Sequence, residues 1–157
     1  MNTEELFFNA LQTGNVANVK AQLQHNSDLV NVKDARGFTP LIFATYFDNE
    51  VIAKVLIEHN APIDAKDASG NTALIGVSFK GNGVIMQYLL ENGADINAKN
   101  NNGVTPLIFA AMYNKANSVK LLLEHNVDTT ITDNDGKTAL VYAETKQFNE
   151  IVELLKS

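Results

Sequence analysis

A phrase that recurs at fixed spacing constrains this chain more than any other feature. DARGFTPLIFA begins at residue 34, and related phrases follow as DASGNTALIGV from 67, NNNGVTPLIFA from 100 and DNDGKTALVYA from 133, each start 33 residues after the last. A period of this size means one supersecondary unit that cannot bury its apolar side alone and is stacked on copies of itself. The fold therefore has to be read from the unit.

Each phrase opens with Asp34, Asp67, Asn100 or Asp133 and has Gly37, Gly70, Gly103 or Gly136 three places on. These residues suit the two ends of a type I turn. Thr39, Thr72, Thr105 and Thr138 follow, with hydroxyls able to accept from an orphan amide and start a helix. Pro40 and Pro106 then stand at the first helical position, where a missing N–H costs nothing, and Ala73 and Ala139 replace them as good helix formers. The first helix is short and apolar, as in Leu41, Ile42, Phe43 and Ala44, so it must be buried. After a polar break, a second helix carries apolar residues one turn apart: Val51, Ile52, Val55 and Leu56 in one copy, Ile85, Tyr88 and Leu89 in the next. Asn60, Gly93 and Asn126 stand where a left-handed residue closes that helix.

The pattern resembles the ankyrin repeat, whose signature is DxxGxTPLHxA followed by LLxxGAD and N; LLENGADINAK, residues 89–99, is the nearest match. The resemblance runs along essentially the whole chain and implies an all-α ankyrin-repeat solenoid that acts as a non-catalytic protein-protein interaction module. The family's His after TPL is here Ile42, Ile75, Ile108 and Val141. A polar link between repeats is therefore expected to give way to apolar contact.

The expected organisation is a divergent capping repeat at 1–33, full repeats at 34–66, 67–99 and 100–132, and a truncated capping repeat at 133–157. The first unit has no DxxGxTP before Glu4; Leu6, Phe7, Phe8, Ala10 and Leu11 supply its apolar side, and Glu4, Glu5, Asn9 and Gln12 its wet side. The repeat at 67–99 contains a conflict. Gly76 occupies the place of Phe43 and Phe109 inside a helix, where Gly costs about 0.5–1 kcal/mol relative to Ala. Phe43 or Phe109 is expected to lean into the space.

The 45% hydrophobic content argues against disorder, and no apolar run approaches the roughly 18 residues of a membrane span. With no Cys, disulfides, thiolate metal sites and a Cys nucleophile are excluded. MNTEELFFNAL is acidic where a signal peptide is basic, so a cytoplasmic location is expected. Twelve basic against 18 acidic residues leave a net charge of −6, which argues against nucleic acid as a partner. Lys33, Arg36, Lys66 and Lys99 fall near turn tips and read as solvated loop ends.

His25, His59 and His125 occupy one repeat position at the end of a second helix. Stacked helices stand about 8–10 Å apart, so residues two repeats apart cannot share a metal whose bonds to nitrogen are about 2 Å. No metal, cofactor or catalytic group is assigned. Residues repeated in register form a line, whereas catalysis needs unlike groups converging on one point. Neither GxSxG, HExxH nor a phosphate loop occurs.

Another line points to binding. Tyr46-Phe47, Phe79-Lys80, Met112-Tyr113 and Thr145-Lys146 end the first helices, a place that the family exposes on its concave face. An aligned row of large apolar side chains marks an interaction site, and aromatic residues and Met are enriched in interfaces. Beside it run the turn residues Arg36, Phe38, Ser69, Asn71, Asn102, Val104, Asp135 and Lys137, which differ between copies. The expected partner site is thus Arg36, Phe38, Tyr46, Phe47, Asn71, Phe79, Asn102, Val104, Met112, Tyr113 and Lys137. The competing expectation buries Tyr46, Phe79 and Met112 against the adjacent turn. The partner is read as another protein, with no nucleic acid or membrane involved and the chain a monomer. A dedicated accessory, inhibitor or stabiliser of a single bacterial enzyme is the alternative, followed by a small-molecule-binding or enzymatic protein.

Overall fold

In the computed structural model, which describes residues 1–157, each turn phrase is closed by its own first side chain. Asp34 Oδ1 accepts from the amides of Arg36 and Phe38, both at 2.9 Å. Asp67, Asn100 and Asp133 repeat the arrangement. Asn100 does so with an amide oxygen, so the turn requires an acceptor but not a charge. The glycine that follows is needed twice over. Gly37 has φ +76°, and a Cβ there would lie 2.7 Å from the backbone nitrogen of Ala68 in the next turn.

That close approach lets the turns join. The amides of Ala68, Asn101 and Asn134 donate to the carbonyls of Arg36, Ser69 and Asn102, at 3.2, 3.1 and 3.0 Å. Side chains reinforce the joint: Lys33 Nζ donates to the Lys66 carbonyl at 3.1 Å, Lys66 Nζ to that of Lys99 at 2.9 Å, and the Asn101 and Asn134 amides to those of Ala68 and Asn101. Lys33 and Lys66 are therefore connectors, not free loop ends. Polar linkage between copies survives the loss of the His after TPL; it runs through the turns.

Ten α-helices hang from these turns: α1 (Thr3–Thr13), α2 (Val16–His25), α3 (Pro40–Tyr46), α4 (Glu50–Glu58), α5 (Ala73–Lys80), α6 (Gly83–Glu91), α7 (Pro106–Met112), α8 (Ala116–Glu124), α9 (Ala139–Lys146) and α10 (Asn149–Lys156). One 3-10 helix, Ser27–Asn31, lies between α2 and the first turn and buries Leu29. The fold is all-α. Thr39, Thr72, Thr105 and Thr138 each accept from the amide three residues on, and Asn60, Gly93 and Asn126 end the second helices at positive φ. A capping box between Asn2 and Glu5 starts α1.

The helices form two layers. α1, α3, α5, α7 and α9 make one row, α2, α4, α6, α8 and α10 the other, and each packs on its partner and its row neighbours. A single core runs from Phe7 to Ile151 between them. Ile42, Ile75 and Ile108 are buried, as the apolar substitution for His requires, but Val141 is 39% exposed because α9 has a row neighbour on one side only. Val51, expected on the packed face, is 57% exposed. It stands in the first turn of α4, turned away from the core that Ile52 and Leu56 join.

The expectation at Gly76 is overturned. Nothing lies within 4 Å of where its Cβ would stand, and a cavity of about 270 Å³ opens beside it. Phe43 packs on Phe8 and Phe47, with ring centroids 5.8 and 4.8 Å away, and Phe109 packs on Phe79 and Tyr113, both at 5.3 Å. Phe43 is drawn away toward α1, while Phe109 reaches across to Phe79 on α5 and walls the gap without filling it.

The equivalent residue in the last phrase, Tyr142, donates its hydroxyl to Asp133 Oδ2. Burial pushes the Asp133 carboxyl up, but the Tyr142 hydroxyl and the amides of Lys137 and Asp135 hold it below its ordinary value overall. Tyr142 is pushed up to about 12, chiefly by donating to Asp133. A depressed carboxyl contributes stability that is present above its unfolded pKa, about 3.9, and lost as pH falls through the lower folded value. A raised phenol contributes stability present below about 10 and lost as pH rises through about 12.

Replacing Tyr142→Phe should thus lower stability at pH 7 by about 1 kcal/mol and flatten the acid limb; urea melts at pH 7, 4 and 2.5 that stay parallel to the parent's would contradict the pairing. Gly76→Ala should raise stability by about 0.5–1 kcal/mol, or about 1–4 °C in Tm, since the added methyl meets open space. A lower melting temperature would show that the gap is not free.

Candidate partner-binding face

The 33-residue register places three lines of side chains on the exposed side of the first helices. The innermost is Phe43, Gly76, Phe109, Tyr142; the next is Tyr46, Phe79, Met112, Thr145; the last is Phe47, Lys80, Tyr113, Lys146. Because the innermost line is interrupted at Gly76, the aromatic surface splits into two clusters.

The first cluster joins Phe8, Phe43, Phe47, Tyr46 and Phe38 through ring contacts of 4.8–5.8 Å. Arg36 lies over it. Its guanidinium carbon is 4.1 Å from the Phe38 centroid and 5.7 Å from that of Phe47, and it pairs with Asp34 Oδ2 through Nε at 3.0 Å and Nη2 at 2.6 Å. The second cluster joins Phe79, Phe109 and Tyr113, the closest contact being Phe79 to Tyr113 at 4.7 Å. Lys146 Nζ stands 5.7 Å from the Tyr113 ring and donates to the Met112 carbonyl at 2.8 Å.

Between the clusters lies the cavity beside Gly76, about 270 Å³ in volume. Phe38 and Tyr46 wall it on one side, Phe79 and Phe109 on the other; Ile42, Ala73 and Val77 contribute apolar surface, and Asp67, Ser69 and Asn71 polar groups. A second recess, of about 400 Å³, lies beside Arg36, Phe43 and Phe47.

Among the expected site residues, Arg36, Phe47, Asn102, Tyr113 and Lys137 are exposed, while Phe38, Tyr46, Asn71, Phe79 and Met112 are half-buried. Phe47 and Tyr113 keep 52% and 47% of their surface in water. Phe38, Tyr46, Asn71 and Phe79 converge on the one cavity, and Arg36 and Phe47 line the recess next to it. Lys137 stays apart, over Tyr142 at 5.5 Å, and Asn102 lies at a turn tip outside both hollows. Val104 does not belong. It is only 7% exposed and part of the core. At this shoulder of the turn an aliphatic side chain turns inward, where full burial is worth about 1.5–3 kcal/mol, whereas Asn71 in the preceding copy stays half out and accepts from Asn100 Nδ2 at 2.9 Å.

Sequence reasoning did not assign Gly76, Asp67 or Phe109 to the site. Gly76 carried a signal, a helix-interior glycine where two other copies have Phe. His59 Nδ1 and His125 Nδ1 bond the carbonyls of Val55 and Leu121 in their own second helices, at 2.8 and 2.9 Å. No helix is long and apolar enough to cross a membrane.

Comparison with curated proteins finds no match. A sequence model described as ankyrin repeats, in three copies, matches residues 6–100 and 76–157. That match, together with the stacked turns and paired helices, means that the chain belongs to the ankyrin-repeat family.

Proposed function

We propose that this chain is a non-catalytic interaction module that holds another protein against its first-helix face. Ankyrin repeats are generally protein-protein interaction modules, and the observation that carries the reading here is a pair of partly exposed aromatic clusters flanking a hollow. Phe47 and Tyr113, about half in water, are the outermost members. Burying such rings favours association, and aromatic residues dominate the energetics of many interfaces. The turns beside them supply polar groups that vary from copy to copy, as a specific rim requires. The hollow, at about 270 Å³, is smaller than the roughly 300–1,000 Å³ of most small-molecule sites. It has room for a side chain of a partner.

Affinity capture from the native source compares the parent with a chain carrying Phe47→Ser and Tyr113→Ser. A protein held by the parent should be lost from the variant. Tm should fall by about 2–12 °C, since each of the two rings contributes about 0.5–1.5 kcal/mol and each kcal/mol is about 2–4 °C in a chain of this size. Undiminished capture by the folded variant would place the partner on another surface.

A further inference from the structure

Four carboxylate or amide groups close the four turns through one oxygen, and the fate of the second polar atom differs in only one of them. Asp34 Oδ2 is held by Arg36, Asn100 Nδ2 donates to Asn71, and Asp133 Oδ2 accepts from Tyr142. Asp67 Oδ2 has no partner, and Asp67 lines the hollow beside Gly76. The residue in register with Arg36 is Ser69, too short to reach across as an arginine does. The hollow therefore combines aromatic walls with one uncommitted carboxylate oxygen.

The preceding copy shows what such a combination holds. There a guanidinium lies on Phe38 and forks onto the turn carboxylate. We propose that the hollow beside Gly76 receives an arginine side chain of the partner protein, its guanidinium bonded to Asp67 and flanked by Phe38, Tyr46, Phe79 and Phe109, so that the partner supplies in trans what Arg36 supplies one copy earlier. The assignment rests on the reading of this face as a docking surface and adds the chemistry of what enters it. Local charge favours it. Arg36 is neutralised by Asp34, and Lys80, 5.0 Å from the Tyr46 centroid, lies 3.8 Å from Asp48; Asp67 remains the uncompensated charge at the hollow. A planar, weakly hydrated guanidinium stacks on aromatic faces while it bonds a carboxylate, which an ammonium does less well.

The test titrates the full chain with N-acetyl-arginine amide, an uncharged backbone bearing only the side chain in question, and follows backbone amide resonances. A ligand of this size is expected to bind at about millimolar Kd, with saturable shifts at Ser69, Asn71 and Gly76. N-acetyl-lysine amide should bind more weakly and N-acetyl-norleucine amide not saturably. Asp67→Asn keeps the turn, as Asn100 does in the next copy, and should weaken arginine binding at least about tenfold. Ser69→Arg and Gly76→Phe should each abolish it, the first by occupying Asp67 in cis and the second by filling the space, with melting temperatures no lower than the parent's by more than about 2 °C. Equal response to the three probes, or arginine binding untouched by Asp67→Asn, would overturn the assignment. So would the absence of saturable shifts. None of these results bears on capture through Phe47 and Tyr113, so the docking face stands or falls separately.

Discussion

The register of the first-helix face depends on three backbone hydrogen bonds, each from the amide at the tip of a turn to the carbonyl at the tip of the turn before. The bond forms only because glycine lets the two backbones approach: a Cβ at Gly70 would come within 2.7 Å of Asn101 N, and one at Gly103 within 2.9 Å of Asn134 N. Once tips are joined, residues 33 apart in sequence stand side by side. The core gains from the same register, since no helix pair could cover its own apolar side. A slip of one residue at the tips would set Ile42, Ile75 and Ile108 against polar neighbours and break the continuous interior.

A strict register turns each departure from the repeat into a local feature. Where Phe43 and Phe109 have rings, Gly76 has none, and a hollow results instead of a collapse, because the backbone of α5 is fixed by Thr72 at one end and by the turn joints on either side. Leaving a helix-interior glycine uncompensated runs against local propensity, and sites where local rules are broken inside an otherwise consistent fold are commonly functional. Tyr142 departs in the opposite way: the ring is present, and its hydroxyl is committed to Asp133.

Most of the architecture was readable from the chain because it depends on short-range chemistry. A threonine before an apolar run, a glycine three residues after an aspartate and an asparagine after EH each specify a backbone geometry without reference to the rest of the molecule. What escaped was set by side-chain direction across copies. Whether Phe43 fills the space at Gly76 depends on Phe8, which lies outside the repeated phrases and draws it toward α1; Phe109 is held by Phe79 and Tyr113. The inward turn of Val104 and the outward one of Val51 likewise depend on neighbours that the repeat pattern does not rank. Asp48, Asn114 and Gln147, which take positive φ between paired helices where Gly14 and Gly81 also stand, share no residue type that would mark the slot.

A repeated surface has an inherent problem of recognition: a partner that fits one copy fits the next after a shift of one repeat. Irregularity resolves it. On the proposed reading, an arginine seated at Asp67 has no equivalent seat elsewhere. One copy earlier the carboxylate already carries Arg36, so an incoming cation meets a like charge; one copy later the acceptor is the neutral Asn100 and Phe109 fills the space; in the last copy Tyr142 holds Asp133. The wrong registers are rejected by repulsion or occlusion and not merely by weaker attraction, which is the more discriminating arrangement. The aromatic clusters then contribute area and affinity along the whole face, while the single empty position decides where along it the partner sits.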